Sequence, residues 1–414
     1  MEMTRAASRA PSTTPAGDPA RACLWTRLGT DLTELILSLL PLRSIVRAGA
    51  VCKFWRSIVD HPAFASRVAA TAPARMPWFF LYGQNNVHLR RNQAFAFDPA
   101  AGEWVHLPPI YLSEGDGPHR HPDECFVGSG GFIFATSAAT RTSFCYAPLL
   151  RGGGSAADPW RETPPLHFSR RNPVVGVIGC GGPGAGARFI VAGGVRLVGG
   201  LVDIEDQLAV EIYDPAAPGG WQLCPPLPPE FRGSPRPWSG GESFYVFGIY
   251  SGLLARFDLS GRAWSGVRTL RPPRVSFSFL VACGEQLVLA GLRGGDNPPS
   301  LVLWRVADGV EEGWRELGQM PEGMLAVMFE GEEEERFASL RCVGVDGLLY
   351  VFNEAHHRGY PACVCEVGGG DRCNWKELPP LPGPVNRFHR VIAFCSAVPL
   401  DSVIGRGDGD GSSC

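Results

Sequence analysis

The chain has 414 residues, 45% of them hydrophobic, and a formal net charge of only -3. That is enough apolar material for a substantial core, with no charge excess to draw a nucleic acid or a membrane surface. Its 13 cysteines are odd in number and scattered along a long chain, the pattern of reduced thiols in the nucleus or cytoplasm rather than of a secreted disulfide scaffold. Glycine (52) and proline (37) recur throughout, which predicts many turns joining short strands.

Residues 1–22 are rich in Ala, Ser, Thr and Pro and lack the apolar stretch of a signal peptide. Arg5, Ser8 and Arg9 suit a transit peptide, but Glu2 and Asp18 do not; the composition reads as a disordered tail. Residues 23–66 read as a helical head. Leu32, Leu35, Ile36, Leu39 and Leu40 recur at helical spacing and predict one apolar face. Asp31 is placed to cap that helix, with Glu34 three residues on reaching back to the open amides. Pro41 stops it, because proline cannot continue the hydrogen-bond ladder. A second helical stretch follows from Leu42, with Val51, Trp55, Ile58 and Val59 on one face. Short helices of this size bury too little surface to be stable alone, so the head needs a partner or a neighbouring domain.

A linker is expected over 67–76 and a repeating body over 77–398. Phe97-Asp98-Pro99 leads to Trp104 and then Leu107-Pro108-Pro109. The same order of aromatic residue, Asp-Pro, Trp and Leu-Pro recurs, in part degenerate, around Trp160, Trp221, Trp264, Trp314 and Trp375, at spacings of 56, 61, 43, 50 and 61 residues. Gly-rich turns beside apolar runs precede most copies, as at Gly130-Gly131 and Gly347. Six units of strands with one Trp each predict a repeat architecture in which each Trp wedges between neighbours. The run from Phe388 to Phe394 reads as a strand pairing near Trp78–Tyr82 and closing the array. Residues 399–414 read as a second disordered tail; Arg406-Gly407-Asp408 lies within it.

Other candidate chemistry is weak. Gly179, Gly181 and Gly184 match a dinucleotide-loop pattern, but Pro183 interrupts it and a strand follows where a helix is required. Cys363, Cys365 and Cys373 with His356 and His357 lack the paired spacing of a zinc knuckle and read as small buried residues. His119, His121, Asp123 and Glu124 fall in a Pro/Gly-rich loop, and the acidic run Glu330–Glu335 reads as solvated. No cofactor or metal is predicted. Arg170, Arg171, Arg232, Arg236, Arg274, Arg387 and Arg390 recur just ahead of the strand that opens the next unit. Guanidinium groups gathered on one rim favour carboxylate or phosphate by bidentate bonding.

Two resemblances follow from these residues. Leu28 to Leu42, with Val51-Cys52-Lys53-Phe54-Trp55-Arg56-Ser57-Ile58 and then His61-Pro62 and Phe64, resembles the F-box. One departure is Gly29, where that family has proline after the leucine. The Trp-marked body resembles the kelch repeat, and the combination resembles plant F-box/kelch-repeat proteins. These resemblances imply a mainly β protein with a three-helix F-box followed by a kelch-type β-propeller of six blades, with seven as the alternative. They imply a non-catalytic substrate adaptor of a Skp1–cullin–F-box ubiquitin ligase. Leu28, Leu32, Ile36, Leu40, Pro41, Val51, Cys52, Trp55 and Ile58 would contact the Skp1-like protein and, through it, cullin. Arg171, Arg232, Arg274 and Arg387 would line a mouth for an acidic or phosphorylated target protein, with no nucleic acid or membrane bound directly. Two alternatives remain at this point. One is a propeller scaffold, such as a transcriptional cofactor-binding protein, without ligase recruitment. The other is an enzyme in the propeller pore.

Overall fold

The computed structural model describes residues 28–71 and 76–404, apart from 86–90, 109–124, 137–141, 151–159, 179–186, 199–202, 232–235, 241–242, 284–285, 296–298, 307–313, 331–336, 357–358 and 369–371. Four helices form the head: α1 (Thr30–Ser38), α2 (Leu42–Gly49), α3 (Lys53–Val59) and α4 (Pro62–Thr71). The body is a ring of six antiparallel sheets. Two further helices follow in the chain, α5 (Glu322–Val327) and α6 (Leu400–Ile404).

Each sheet is one blade. The inner strands are Arg390–Ser396 for blade 1, then Cys125–Ser129, Val174–Ile178, Arg236–Gly240, Val275–Cys283 and Leu340–Val345 for blades 2 to 6. The ring closes as the sequence predicts: Arg390–Ser396 pairs antiparallel with Trp78–Gln84, with Phe394 opposite Phe80 and Ser396 opposite Trp78. Six blades account for all six Trp units. Among the described residues, blade 3 carries an added hairpin, Val195–Val198 with Asp203–Asp206.

The parts of the repeat have separate mechanical jobs. The Asp turns the chain from third to outer strand: Asp98 Oδ1 accepts from the amides of Ala100 and Ala101, Asp214 Oδ1 from Ala216, and Asp258 Oδ1 from Ser260. The Trp and the Pro-Pro join different units. Trp104 Nε1 donates to Pro379 O of blade 6 at 2.7 Å, Trp221 Nε1 to Pro164 O of blade 2 at 2.8 Å, and Trp264 Nε1 to Pro225 O of blade 3 at 2.9 Å. Each staples its blade to the one before. Glycines let the inner strands approach: a Cβ on Gly128 would fall 2.2 Å from the Phe394 ring.

Several expectations need correction. Asp31 is not the cap of α1; Gly29 is, with no side-chain bond, and Glu34 pairs with Arg67 of α4 at 3.2 Å. The second helical stretch is broken at Ala50–Cys52 into α2 and α3, so among the described residues the head carries four short helices. Residues 67–71 continue α4 and are no linker. Residues 400–404 are helical, and Leu400 is buried with Ile45, Phe64 and Phe80 in one apolar cluster. Arg43 of α2 also pairs with Glu103 of blade 1 at 2.6 Å. Head and ring therefore share a core.

Strand direction fixes which face carries what. The head enters at Trp78, opposite the end of the inner strand of blade 1, and α6 leaves from that same end. The arginine-bearing connections precede the beginnings of inner strands, at the opposite face of the ring.

Candidate functional site

Helix α1 is amphipathic the wrong way round for an isolated protein. Its inward residues are Thr33, Leu37 and Ser38, with Thr33 Oγ1 donating to Gly29 O at 3.1 Å and Ser38 Oγ to Leu35 O at 2.8 Å. Its outward residues are Leu32, Leu35, Ile36 and Leu39, all exposed, Leu39 at 63%. Burying an aliphatic side chain is worth about 1.5–3 kcal/mol, so a helix selected only for folding would point these inward. The strip continues across the α2–α3 turn, where Val51 is 67% exposed and Phe54 is exposed. Cys52, also exposed, caps α3 by accepting from the Trp55 amide at 3.4 Å. Six of the ten large hydrophobic side chains exposed among the described residues lie on this strip. Apolar clustering of this kind marks an interaction surface.

The structure brings most of the predicted partner-binding residues together there. Leu32, Ile36, Pro41, Val51 and Cys52 are exposed, and Leu28 is half-exposed. Leu40 and Trp55 are partly buried and pack against the shared core. Ile58 is the correction: at 4% exposure it belongs to that core and presents nothing to a partner. It lies one helical turn beyond Trp55, and the sequence periodicity assigned both to one face. Leu35, Leu39 and Phe54 belong to the exposed strip but were absent from the predicted set. Gly29 has φ -62°, the value a proline would impose, and open space around its Cβ. The departure from the family residue therefore leaves the backbone path intact.

On the opposite face Arg274 and Arg387 are exposed and Arg171 is half-exposed. Arg171 also pairs through its backbone with Val195 at 2.8 Å and 2.9 Å. Arg390 is half-exposed and lines a central cavity of about 520 Å³ between the inner strands. Arg232 lies outside the described residues, as do Gly179, Gly181, Gly184, His119, His121, Asp123 and Glu124. Arg170 is not a rim residue. It is fully buried, donates to Ala209 O at 2.8 Å and Gly193 O at 3.2 Å, and is ion-paired with the equally buried Glu211. Burial pushes its pKa down from the ordinary arginine value, and the Glu211 carboxylate opposes that shift. Sequence reasoning missed two aromatic residues on this face, Tyr250 (64% exposed) and Phe168. Nothing in their sequence context separates an exposed turn aromatic from a buried one.

Cys363 and Cys365 are buried in the core between blades 5 and 6. Burial pushes the Cys363 thiol up to about 12 and the Cys283 thiol to about 11. Among the described residues no group of three or more His, Cys, Asp or Glu is placed to hold a metal.

Comparison with known proteins places these features in a family context. Residues 25–67 match the F-box domain model. An F-box/kelch-repeat protein of Arabidopsis thaliana is 28% identical over 385 residues, covering 89% of each chain. The F-box only protein 6 of the same plant is 23% identical, covering 80% of this chain and 65% of its own length. The Arabidopsis protein UNUSUAL FLORAL ORGANS is 23% identical, covering 78% of this chain and 72% of its own length. The chain thus carries an F-box domain ahead of a six-bladed β-propeller and is similar over most of its length to plant F-box/kelch-repeat proteins.

Proposed function

We infer that this chain is the substrate-receptor subunit of a Skp1–cullin–F-box ubiquitin ligase. The observation that carries this reading is the outward apolar strip of Leu32, Leu35, Ile36, Leu39, Val51 and Phe54. A Skp1-like protein covers it, and the opposite face of the ring holds the target. Exposed Arg274 and Arg387 with Tyr250 and Phe168 on that face favour an acidic or phosphorylated segment, because guanidinium groups bond carboxylate and phosphate oxygens in pairs. The chain itself makes and breaks no bond. Its contribution is proximity: a tethered target meets the ubiquitin-loaded enzyme at high effective concentration. The shared core of head and ring supports this, since it fixes the direction in which cargo is presented.

The test is target turnover. Expression of the intact chain shortens the half-life of proteins captured by the propeller, and proteasome inhibition restores them. Captured proteins whose levels do not respond to either treatment would favour a scaffold without ligase recruitment.

A further inference from the structure

We propose that the seam between blades 4 and 5 is a docking groove for an extended, proline-containing segment of a partner that carries an acidic residue. The protein's own seams supply the recognition chemistry. At three seams an outer-strand indole N–H is seated on the carbonyl of the first proline in the preceding unit's Pro-Pro, at 2.7–2.9 Å. In blades 2 and 3 those prolines sit just ahead of a buried leucine, Leu166 or Leu227, whose amide bonds back across the sheet to Thr142 O or Leu208 O.

Blade 4 makes the same leucine contact with Leu270, whose amide donates to Gly252 O at 2.7 Å. The two residues ahead of Leu270 are Arg268 and Thr269, however, and they are spent pairing with Leu253 and Leu254. Its prolines, Pro272 and Pro273, come after the leucine. The outer-strand tryptophan of blade 5, Trp314, is left without its proline carbonyl, and among the described residues its Nε1 has no acceptor. A groove of about 370 Å³ lies there instead, walled by Pro272, Pro273, Trp304 and Trp314.

Tryptophan-lined grooves take polyproline segments because such segments are already extended and expose their carbonyls. Charge then narrows the occupant. Within the groove Arg293 is matched by Glu316 at 3.1 Å. Arg274, at its edge, is exposed and has no ion pair among the described residues. A carboxylate beside the proline complements it. This groove is independent of the apolar strip on the head, so either assignment can fail without the other.

The experiment uses the full-length chain and the peptide acetyl-Ala-Pro-Pro-Asp-Pro-Pro-Ala-amide, titrated by calorimetry and by tryptophan fluorescence. The expected result is one site, weakened by salt and weakened further when the prolines become alanines. Trp314→Phe keeps the ring and removes the donor; it should lower affinity about five- to tenfold. Arg274→Gly removes the guanidinium at a position whose φ of 62° suits glycine, so folding is preserved and the affinity should again fall. No binding to the folded protein at millimolar peptide, or unchanged affinity in both variants, overturns the proposal. So does tighter peptide binding when Pro11, Pro15 and Pro19 are all replaced by alanine, because the occupant would then be this chain's own N-terminal segment.

Discussion

Replacing Glu211 by glutamine keeps the shape of the side chain, removes its charge and turns one of its two acceptor oxygens into an NH2 donor. In the folded protein Glu211 has no exposure. Its Oε1 faces the Arg170 guanidinium, and its Oε2 accepts the His167 amide at 2.8 Å and faces His167 Nδ1 at 2.9 Å. Arg170 keeps its carbonyl acceptors in Glu211→Gln but loses its counter-ion inside the protein. Removing one partner of a buried pair costs about 3–5 kcal/mol, a third or more of the total stability of many domains. Replacing both partners by apolar residues of similar volume costs far less and is often neutral. Urea unfolding of Glu211→Gln, Arg170→Met and the double variant Arg170→Met/Glu211→Leu forms the test. Each single variant should lose about 3–5 kcal/mol, with the double variant recovering at least about 2 kcal/mol of it. A double variant no more stable than either single variant would refute the pairing as the reason Arg170 is buried.

Three further outcomes follow from the same geometry. Trp104→Phe should lose about 0.5–1.5 kcal/mol with its bond to the exposed Pro379 carbonyl, whereas Trp375→Phe should lose less, because among the described residues the buried Trp375 Nε1 has no acceptor; thermal unfolding of the two variants checks the order. Gly29→Pro should stabilise the head by about 0.4–1 kcal/mol, since φ already lies at the proline value, read as an increase in the midpoint of helix loss by circular dichroism. At pH 8 iodoacetamide should alkylate exposed Cys52 while sparing Cys283 and Cys363, whose raised pKa values keep them as thiols; peptide mapping reads the sites, and a bound Skp1-like protein should shield Cys52.

Much of the ring was legible in the sequence because each blade spends one tryptophan at its outer strand, and blades 1, 3 and 4 add an Asp at the turn that leads into it. Counting those marks counts blades, and the run ending at Phe394 had nowhere to pair but the first blade. What the repeat hid was its direction of action. Trp and Pro-Pro look like parts of one unit, yet the indole of Trp104 reaches Pro379, 275 residues away. Arg170 was read as a rim residue because its counter-ion, Glu211, stands 41 positions on, and only the folded sheet brings them together. In the head, helical periodicity found the apolar residues but not their sides. Ile58 went inward while Leu35, Leu39 and Phe54 went outward, and Thr33 and Ser38 took core positions by bonding their own backbone. The α6 helix was missed because a five-residue helix has no period to detect; its order comes from the core that Leu400 joins.

The role of the apolar strip is tested by one titration: the purified full-length chain against a Skp1-like protein, compared with Leu32→Asp/Val51→Asp, which changes only exposed positions. Saturable binding by the natural chain is expected, with a loss of at least about a hundredfold in the double variant and an unchanged unfolding midpoint of the propeller. Equal affinities for the two proteins would contradict that role.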